Sequence, residues 1–173
     1  MEFIEIKKVY LNDIKLLQNI SRDTFFETFA NYNSVQNMNK YLDESLSISK
    51  LEKEMKNENS EFYFASLNDE ILGYLKVNFA NAQTELKDGI SLEIERIYVL
   101  KEFHGRNVGQ SLYQKAIQIA KDHDLSYVWL GVWENNKRAI QFYLKNGFVE
   151  FDRHLFKLGN EEQIDVMMKL ILK

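Results

Sequence analysis

Between Tyr98 and Tyr113 the chain reads YVLKEFHGRNVGQSLY, passing from a β-like run into a helix-like run through a segment that holds Lys101, His104, Gly105, Arg106 and Gly109. A strand that hands over to a helix within so few residues presents several unpaired amide hydrogens at the positive end of a helix dipole. Such a place binds anions, most naturally phosphate. Gly105 and Gly109 let oxygens approach the backbone closely, and His104 and Arg106 add positive charge, a combination suited to a pyrophosphate. The same pattern also serves an ordinary strand-to-helix turn, and it is neither a GK[ST] P-loop nor GxGxxG. Just upstream, alternation in SLEIERIYVL puts Glu93, Glu95, Ile97 and Val99 on one strand face. Two carboxylates so placed can hold a cation and, directly or through water, take its proton; they can equally be a solvated face paired with lysines of neighbouring strands.

The rest of the chain must position these groups. With 173 residues, 45% of them hydrophobic, it can bury one substantial core, and a single domain spanning residues 1–173 is expected. A net charge of -4 and a pI near 5.5 argue against a nucleic-acid partner and favour cationic ones. The chain has no cysteine, which excludes disulfides, thiolate metal sites and cysteine nucleophiles, and no metal is expected. Its beginning, MEFIEIKKVYLNDIKLL, alternates charge with hydrophobe, and no run approaches the ~20 apolar residues of a membrane span, so a cytoplasmic protein without a membrane partner is expected.

No proline, repeat or low-complexity tract divides the chain. FIEIKKV alternates as a strand. From Asn12 or Asp13, either a good N-cap, IKLLQNISRDTFFETF reads as a helix, and one or two more end near Asn57. EFYFASLNDEILGYLKVNF predicts a hairpin turning at Asn68 and Asp69. A helix over residues 107–121 buries Val108, Leu112, Ala116 and Ile119. LSYVWLGVW is a buried strand, NKRAIQFYLKNGF a helix closed by Gly147, and GFVEFDRHLFKL with QIDVMMKLIL two final strands. The order is β, two or more α, three β, α, β, α, two β: an α/β (α+β) chain.

LEIERIYVLKEFHGRNVGQSLYQKAIQIA followed by LGVWENNKRAIQFYLKNGF resembles the GNAT acyltransferase superfamily over residues 93–149. The family loop [QR]-x-x-G-x-[GA] falls on His104, Gly105, Arg106, Asn107, Val108 and Gly109, with His104 in place of Gln or Arg and Asn107 in place of glycine. Asparagine tolerates left-handed angles better than most residues, so the loop can survive the exchange. The downstream signature falls on Asn136, Ala139, Tyr143, Gly147 and Phe148. The resemblance implies a mixed central sheet of about seven strands flanked by helices, with acetyl-CoA as cosubstrate. It further implies that residues 97–99 (Ile97, Tyr98, Val99) and residues 130–132 face a gap holding the pantetheine arm. The resemblance implies that the loop through Gln110 takes the pyrophosphate and that Asn136, Ala139 and Tyr143 complete the cofactor site.

The resemblance also implies that a substrate amine attacks the thioester directly and that Tyr143 protonates the departing thiolate, with Glu95 at the position of the catalytic or amine-binding glutamate of many members. From DTFFETFANYNSVQNMNKYLDESL through LGYLKVNFANAQTE, SLEIERIYV and WLGVWENNKRAIQFY to NEEQIDVMMK, nearly the whole chain is similar to PaiA-type polyamine acetyltransferases, which implies spermidine or spermine as the amine. In the helical region Asp23, Glu27, Asp43 and Glu44 stand among Phe25, Phe26, Phe29, Tyr32 and Tyr41, fit for ammonium groups and methylene spacers, or for an ordinary amphipathic surface. Another small amine, a peptide or protein N-terminus, a non-catalytic acetyl-CoA-binding regulator, and a homodimer remain open.

Overall fold

In the computed structural model, which describes residues 2–173, the alternating N-terminal segment forms β1 (Glu5–Lys8) and the first helical run forms α1 (Ile14–Phe29). Asp13 does not cap α1 through its side chain; its Oδ2 instead accepts from the Tyr10 amide at 3.1 Å and closes the preceding turn. Two helices follow, α2 (Val35–Ser45) and α3 (Ile48–Met55), each started by a serine whose Oγ accepts an amide hydrogen three residues on. The predicted hairpin is β2 (Ser60–Leu67) and β3 (Glu70–Phe79); Asn68 (φ 49°) and Asp69 (φ 67°) take the two left-handed positions of the turn. Then come β4 (Ser91–Val99), α4 (Val108–Asp122), β5 (Tyr127–Trp133), α5 (Lys137–Lys145), β6 (Val149–Leu158) and β7 (Glu161–Ile171).

The seven strands make one mixed sheet, ordered β1-β2-β3-β4-β5-β7-β6, in which only β4 and β5 pair in parallel. α4 is the crossover between them, and its stripe of Val108, Leu112, Ala116 and Ile119 packs with Leu75, Leu92 and Ile94 on one face. α1 to α3 cover the other face, where Leu17, Phe25 and Leu51 meet Phe62, Phe64 and Tyr74. Among the described residues no helix is long and apolar enough to cross a membrane.

β4 departs from the alternation its sequence predicts. Its register against β3 runs Val77↔Ile94 and then Lys76↔Arg96, so Glu95 is an extra residue, a β-bulge. One extra residue reverses the phase of all that follows. Leu92 and Ile94 before the bulge, and Ile97 and Val99 after it, all join the core beneath α4, so Ile97 and Val99 do not share the face of Glu93. Glu93 and Glu95 do meet: both accept from Asn78 Nδ2, at 2.8 and 3.0 Å.

Pairing between β4 and β5 stops at the same place. It runs from Ser91↔Tyr127 to Ile94↔Leu130 and no further, so beyond Glu95 the strands part and leave a wedge between two unpaired edges. Gly73 of β3 lies behind this wedge. A Cβ there would collide with the Tyr98 carbonyl oxygen and stand 3.1 Å from Val99 Cα, against backbone that cannot rotate aside. Gly73→Ala is therefore expected to lower stability by ~1–3 kcal/mol, the usual cost of overpacking, in urea denaturation. An unchanged midpoint and slope would show that β3 and β4 separate freely.

Candidate active site

The wedge opens into two clefts that meet inside it. One, of about 370 Å³, runs along Val99, the loop before α4 and the first turns of α4 and α5. The other, of about 250 Å³, lies between the diverging strands and α1, α2, β6 and β7. Ile97, Tyr98, Asn136, Ala139 and Tyr143 line both.

The first cleft has the makings of an anion site. Gly105 (φ 80°) and Asn107 (φ 62°) are left-handed, and Asn107 holds the N-cap position of α4, so asparagine adopts the conformation expected of it there. Gly109 is not required by packing: a Cβ would meet only Val99 Cγ2, at an ordinary 3.8 Å. Its bare backbone leaves the amides at the start of α4 open to the cleft. Val108 sends its side chain into the core, and Gln110 lines the cleft while its Nε2 donates to Asn146 Oδ1 at 3.0 Å. Asn136 caps α5, its Oδ1 accepting from the Ala139 amide at 3.3 Å.

The cationic side chains are arranged otherwise than the sequence suggested. Arg106 does not line the cleft; it pairs with Glu2 and lies over the Phe103 ring at 5.2 Å. Arg138, in the first turn of α5, lines it instead and is held against His104 Nδ1. His104 Nε2 is 2.8 Å from the Val99 carbonyl oxygen. With Nε2–H donated there, Nδ1 is left as acceptor for Arg138 and the ring is neutral. Burial and the Arg138 charge lower the ring's pKa against the pull of the Val99 carbonyl. His104 thus positions a cation rather than supplying one.

Tyr143 stands where the clefts join. Its ring is buried on Phe148 (centroids 5.6 Å apart), and its hydroxyl has no hydrogen-bond partner among the described residues. Burial pushes the phenol well above its ordinary pKa, so it carries its proton across the neutral range.

The second cleft is aromatic and acidic. Phe25, Phe29 and Tyr41 reach it from the helices, as do Trp133 and Phe156 from the strands, but Asp23, Glu27, Asp43 and Glu44 do not. Glu27 accepts from the Lys101 amide (2.9 Å), Asp43 faces Arg22 (3.5 Å), and Phe26 and Tyr32 are largely exposed. The lining carboxylates are Glu85, Glu93, Glu95 and Asp165.

Glu95 belongs to a largely buried ionic cluster. It pairs with Lys76 and lies 3.7 Å from Arg96; Arg96 grips Glu54 of α3 with two bonds of 2.8 and 2.9 Å, and Lys76 is 3.4 Å from Glu54. Burial alone would raise the pKa of Glu95, but Arg96 and then Lys76 outweigh it and hold the group at about 2. A carboxylate so matched is ionised but only weakly basic. Burial raises Glu93, which Thr84 and Asn78 engage at both oxygens. Sequence reasoning missed Arg138, Asp165, His154 and Glu85. Asp165 did carry a signal, a carboxylate interrupting the apolar run of β7 beside buried Val166 and Met167. Among the described residues no cluster of three or more His, Asp or Glu side chains is disposed to hold a metal ion.

The sequence profile described as the acetyltransferase (GNAT) family matches residues 17–148. An uncharacterized N-acetyltransferase of Lactobacillus delbrueckii subsp. lactis is 38% identical over 172 residues, covering 99% of each chain. A spermidine N(1)-acetyltransferase of Thermoplasma acidophilum is 26% identical over 149 residues, 84% of this chain and 88% of the relative. Among solved structures, the PaiA N-acetyltransferase of Thermoplasma acidophilum in complex with coenzyme A superposes with a TM-score of 0.79 at 23% identity, over 96% of this chain and 98% of the other.

The open backbone at Gly109 can be tested. Gly109→Val fills the approach to the α4 amides and is expected to weaken acetyl-CoA binding by ~1–3 kcal/mol in calorimetric titration, the range for lost hydrogen bonds to a charged group. Unchanged affinity in a folded variant would remove this loop from the site.

Proposed function

The chain belongs to the GNAT family of acetyltransferases and is an acetyl-CoA-dependent N-acetyltransferase, and we propose that its acceptor is a polyamine of the spermidine and spermine class, acetylated by direct attack within a ternary complex. One observation carries the choice of acceptor: an aromatic cleft whose carboxylates Glu85 and Asp165 are matched by no lysine or arginine among the described residues joins the other cleft at Tyr143. Carboxylates compensate the ammonium groups of such a substrate, and Phe25, Phe29, Tyr41 and Trp133 offer faces to its methylene spacers and charges. The similarity to a spermidine N(1)-acetyltransferase supports the same reading.

Acetyl-CoA supplies an acetyl group activated as a thioester. The residues fit its chemistry: the edge of β4 beyond Glu95, apart from the Val99 carbonyl held by His104, and the edge of β5 beyond Leu130 offer backbone partners to an extended amide-bearing arm, and the α4 amides with Arg138 offer partners to its pyrophosphate. Tyr143 keeps a proton at the junction and gives it to the departing thiolate. The absence of cysteine accords with attack by the amine itself.

Thiol release is the direct test of the acceptor. In a panel of polyamines, diamines, aminoglycosides and peptides, kcat/KM should be highest for spermidine or spermine, by ~10-fold or more over monoamines of equal reach, as expected when additional ammonium groups are bound. A peptide or aminoglycoside leading the panel would overturn the polyamine assignment and leave the acetyltransferase intact. Tyr143→Phe should keep the fold and acetyl-CoA affinity while kcat falls ~10²-fold, the lower end of general-acid effects. Wild-type turnover at saturation would reduce Tyr143 to packing.

A further inference from the structure

An alkylammonium with a pKa of ~10.4 has no lone pair to attack with, so the reaction needs a proton acceptor within reach of the acceptor cleft. Glu95 is matched to Lys76 and Arg96, and Glu93 to Asn78 and Thr84. Asp165 is not so engaged. It stands opposite Trp133 of β5 and His154 of β6, lines the cleft, and its carboxylate accepts no hydrogen bond among the described residues. Its Oδ2 is 3.9 Å from His154 Nε2, and His154 Nδ1 is 3.2 Å from Glu85 Oε1. That nitrogen is nonetheless buried without the alignment of a hydrogen bond. Side-chain exposure rises along the three, 16% for Asp165, 26% for His154 and 36% for Glu85, so they lead from the cleft toward solvent. Gly131 of β5 makes the room, since a Cβ there would lie 3.4 Å from His154 Cε1 and 3.5 Å from Asp165 Oδ2.

Resting on the acetyltransferase reading, we propose that Asp165 takes the proton from the acceptor ammonium and that His154 and Glu85 pass it to solvent. The N–H bond breaks toward the Asp165 carboxylate, and the freed nitrogen pair forms the bond to the thioester carbon. As the C–S bond breaks, its electron pair leaves with sulfur, which takes the Tyr143 proton; the surplus proton on the new amide nitrogen replaces it. One proton thus ends on the thiol and one in solvent, which balances the conversion of an ammonium to an amide.

The electrostatics suit the task. Burial pushes Asp165 up to about 6, with His154 drawing it down and Glu85 adding to the rise. Asp165 is therefore ionised at neutral pH yet far more basic than Glu95 at about 2. From the other elements Tyr41 of α2 and Tyr98 of β4 lie close enough to sense its charge. On the same cleft wall the Glu95 and Arg96 charges offset one another, Glu93 is engaged as described, and Tyr143 is neutral.

The test is the pH dependence of kcat/KM with the fastest amine of the panel, from about pH 5 to 9. Wild type should lose rate as pH falls through about 6, the value at which Asp165 takes up its proton. Asp165→Asn should fall ~10²-fold at neutral pH and exchange that limb for a steady rise toward the amine's own pKa, with acetyl-CoA affinity kept. Glu95→Gln should retain the limb. A wild-type limb in Asp165→Asn, a rise in KM alone, or loss of the limb in Glu95→Gln overturns the proposal while acetyl transfer stands. No thiol release from any amine would overturn the acetyltransferase reading and this inference with it. Should Asp165→Asn fail to fold, His154→Gln tests the same path: a ~10-fold loss of kcat partly restored by imidazole supports it, and an unchanged kcat overturns it.

Discussion

The bulge at Glu95 and the last hydrogen-bonded pair between β4 and β5 fall at adjacent residues, and the site follows from that coincidence. An inserted residue bends its strand and increases the local twist, so β4 turns away from β5 just where parallel pairing would otherwise continue. Each strand is still paired on its far side, β4 with β3 and β5 with β7, and neither collapses to close the opening. Two strand edges are thereby left with unspent backbone donors and acceptors, a state tolerable only where water or a ligand satisfies them.

A bulge brings side chains into places that regular alternation would avoid, and here it sets Lys76 directly opposite Arg96. Like charges so placed repel. Glu54 and Glu95 compensate them, giving two cations and two anions that are mostly withdrawn from solvent. Removing any one member would leave a buried charge unmatched, so the cluster ties α3 to the bulged segment far more firmly than an exposed pair could. The same arrangement explains why Glu95, though in the cleft wall, is electrostatically satisfied and held ionised.

The two clefts differ in sign although the chain as a whole carries only -4. At the α4 end the helix dipole, bare amides and Arg138 favour anions, while at the β6–β7 end Glu85 and Asp165 favour cations. Tyr143, uncharged and buried, separates them. A reaction that joins an anionic donor to a cationic acceptor is served by this separation, because each ligand meets compensating charge at its own end of one continuous opening.

Much of this was legible along the chain. The helix stripe of Val108, Leu112, Ala116 and Ile119, the Asn68–Asp69 turn and the order of elements follow from periodicity and turn chemistry, which are local properties. So does the shape of the loop before α4, since the residues that form it are contiguous and Asn107 takes the left-handed angles its side chain permits. Tertiary structure alone decided the rest. No local rule marks Glu95 as a bulge, because the register that makes it surplus is set by β3; no local rule sends Arg106 to Glu2 and brings Arg138 to the cleft, because those contacts join residues far apart in sequence. Glu85, His154 and Asp165 come from three segments, and their meeting exists only once β6 and β7 fold back beside β5 and Gly131 leaves the space. Spacing along the chain encodes what neighbouring residues can do together, whereas basicity and pairing depend on which distant charges the fold brings within a few ångströms.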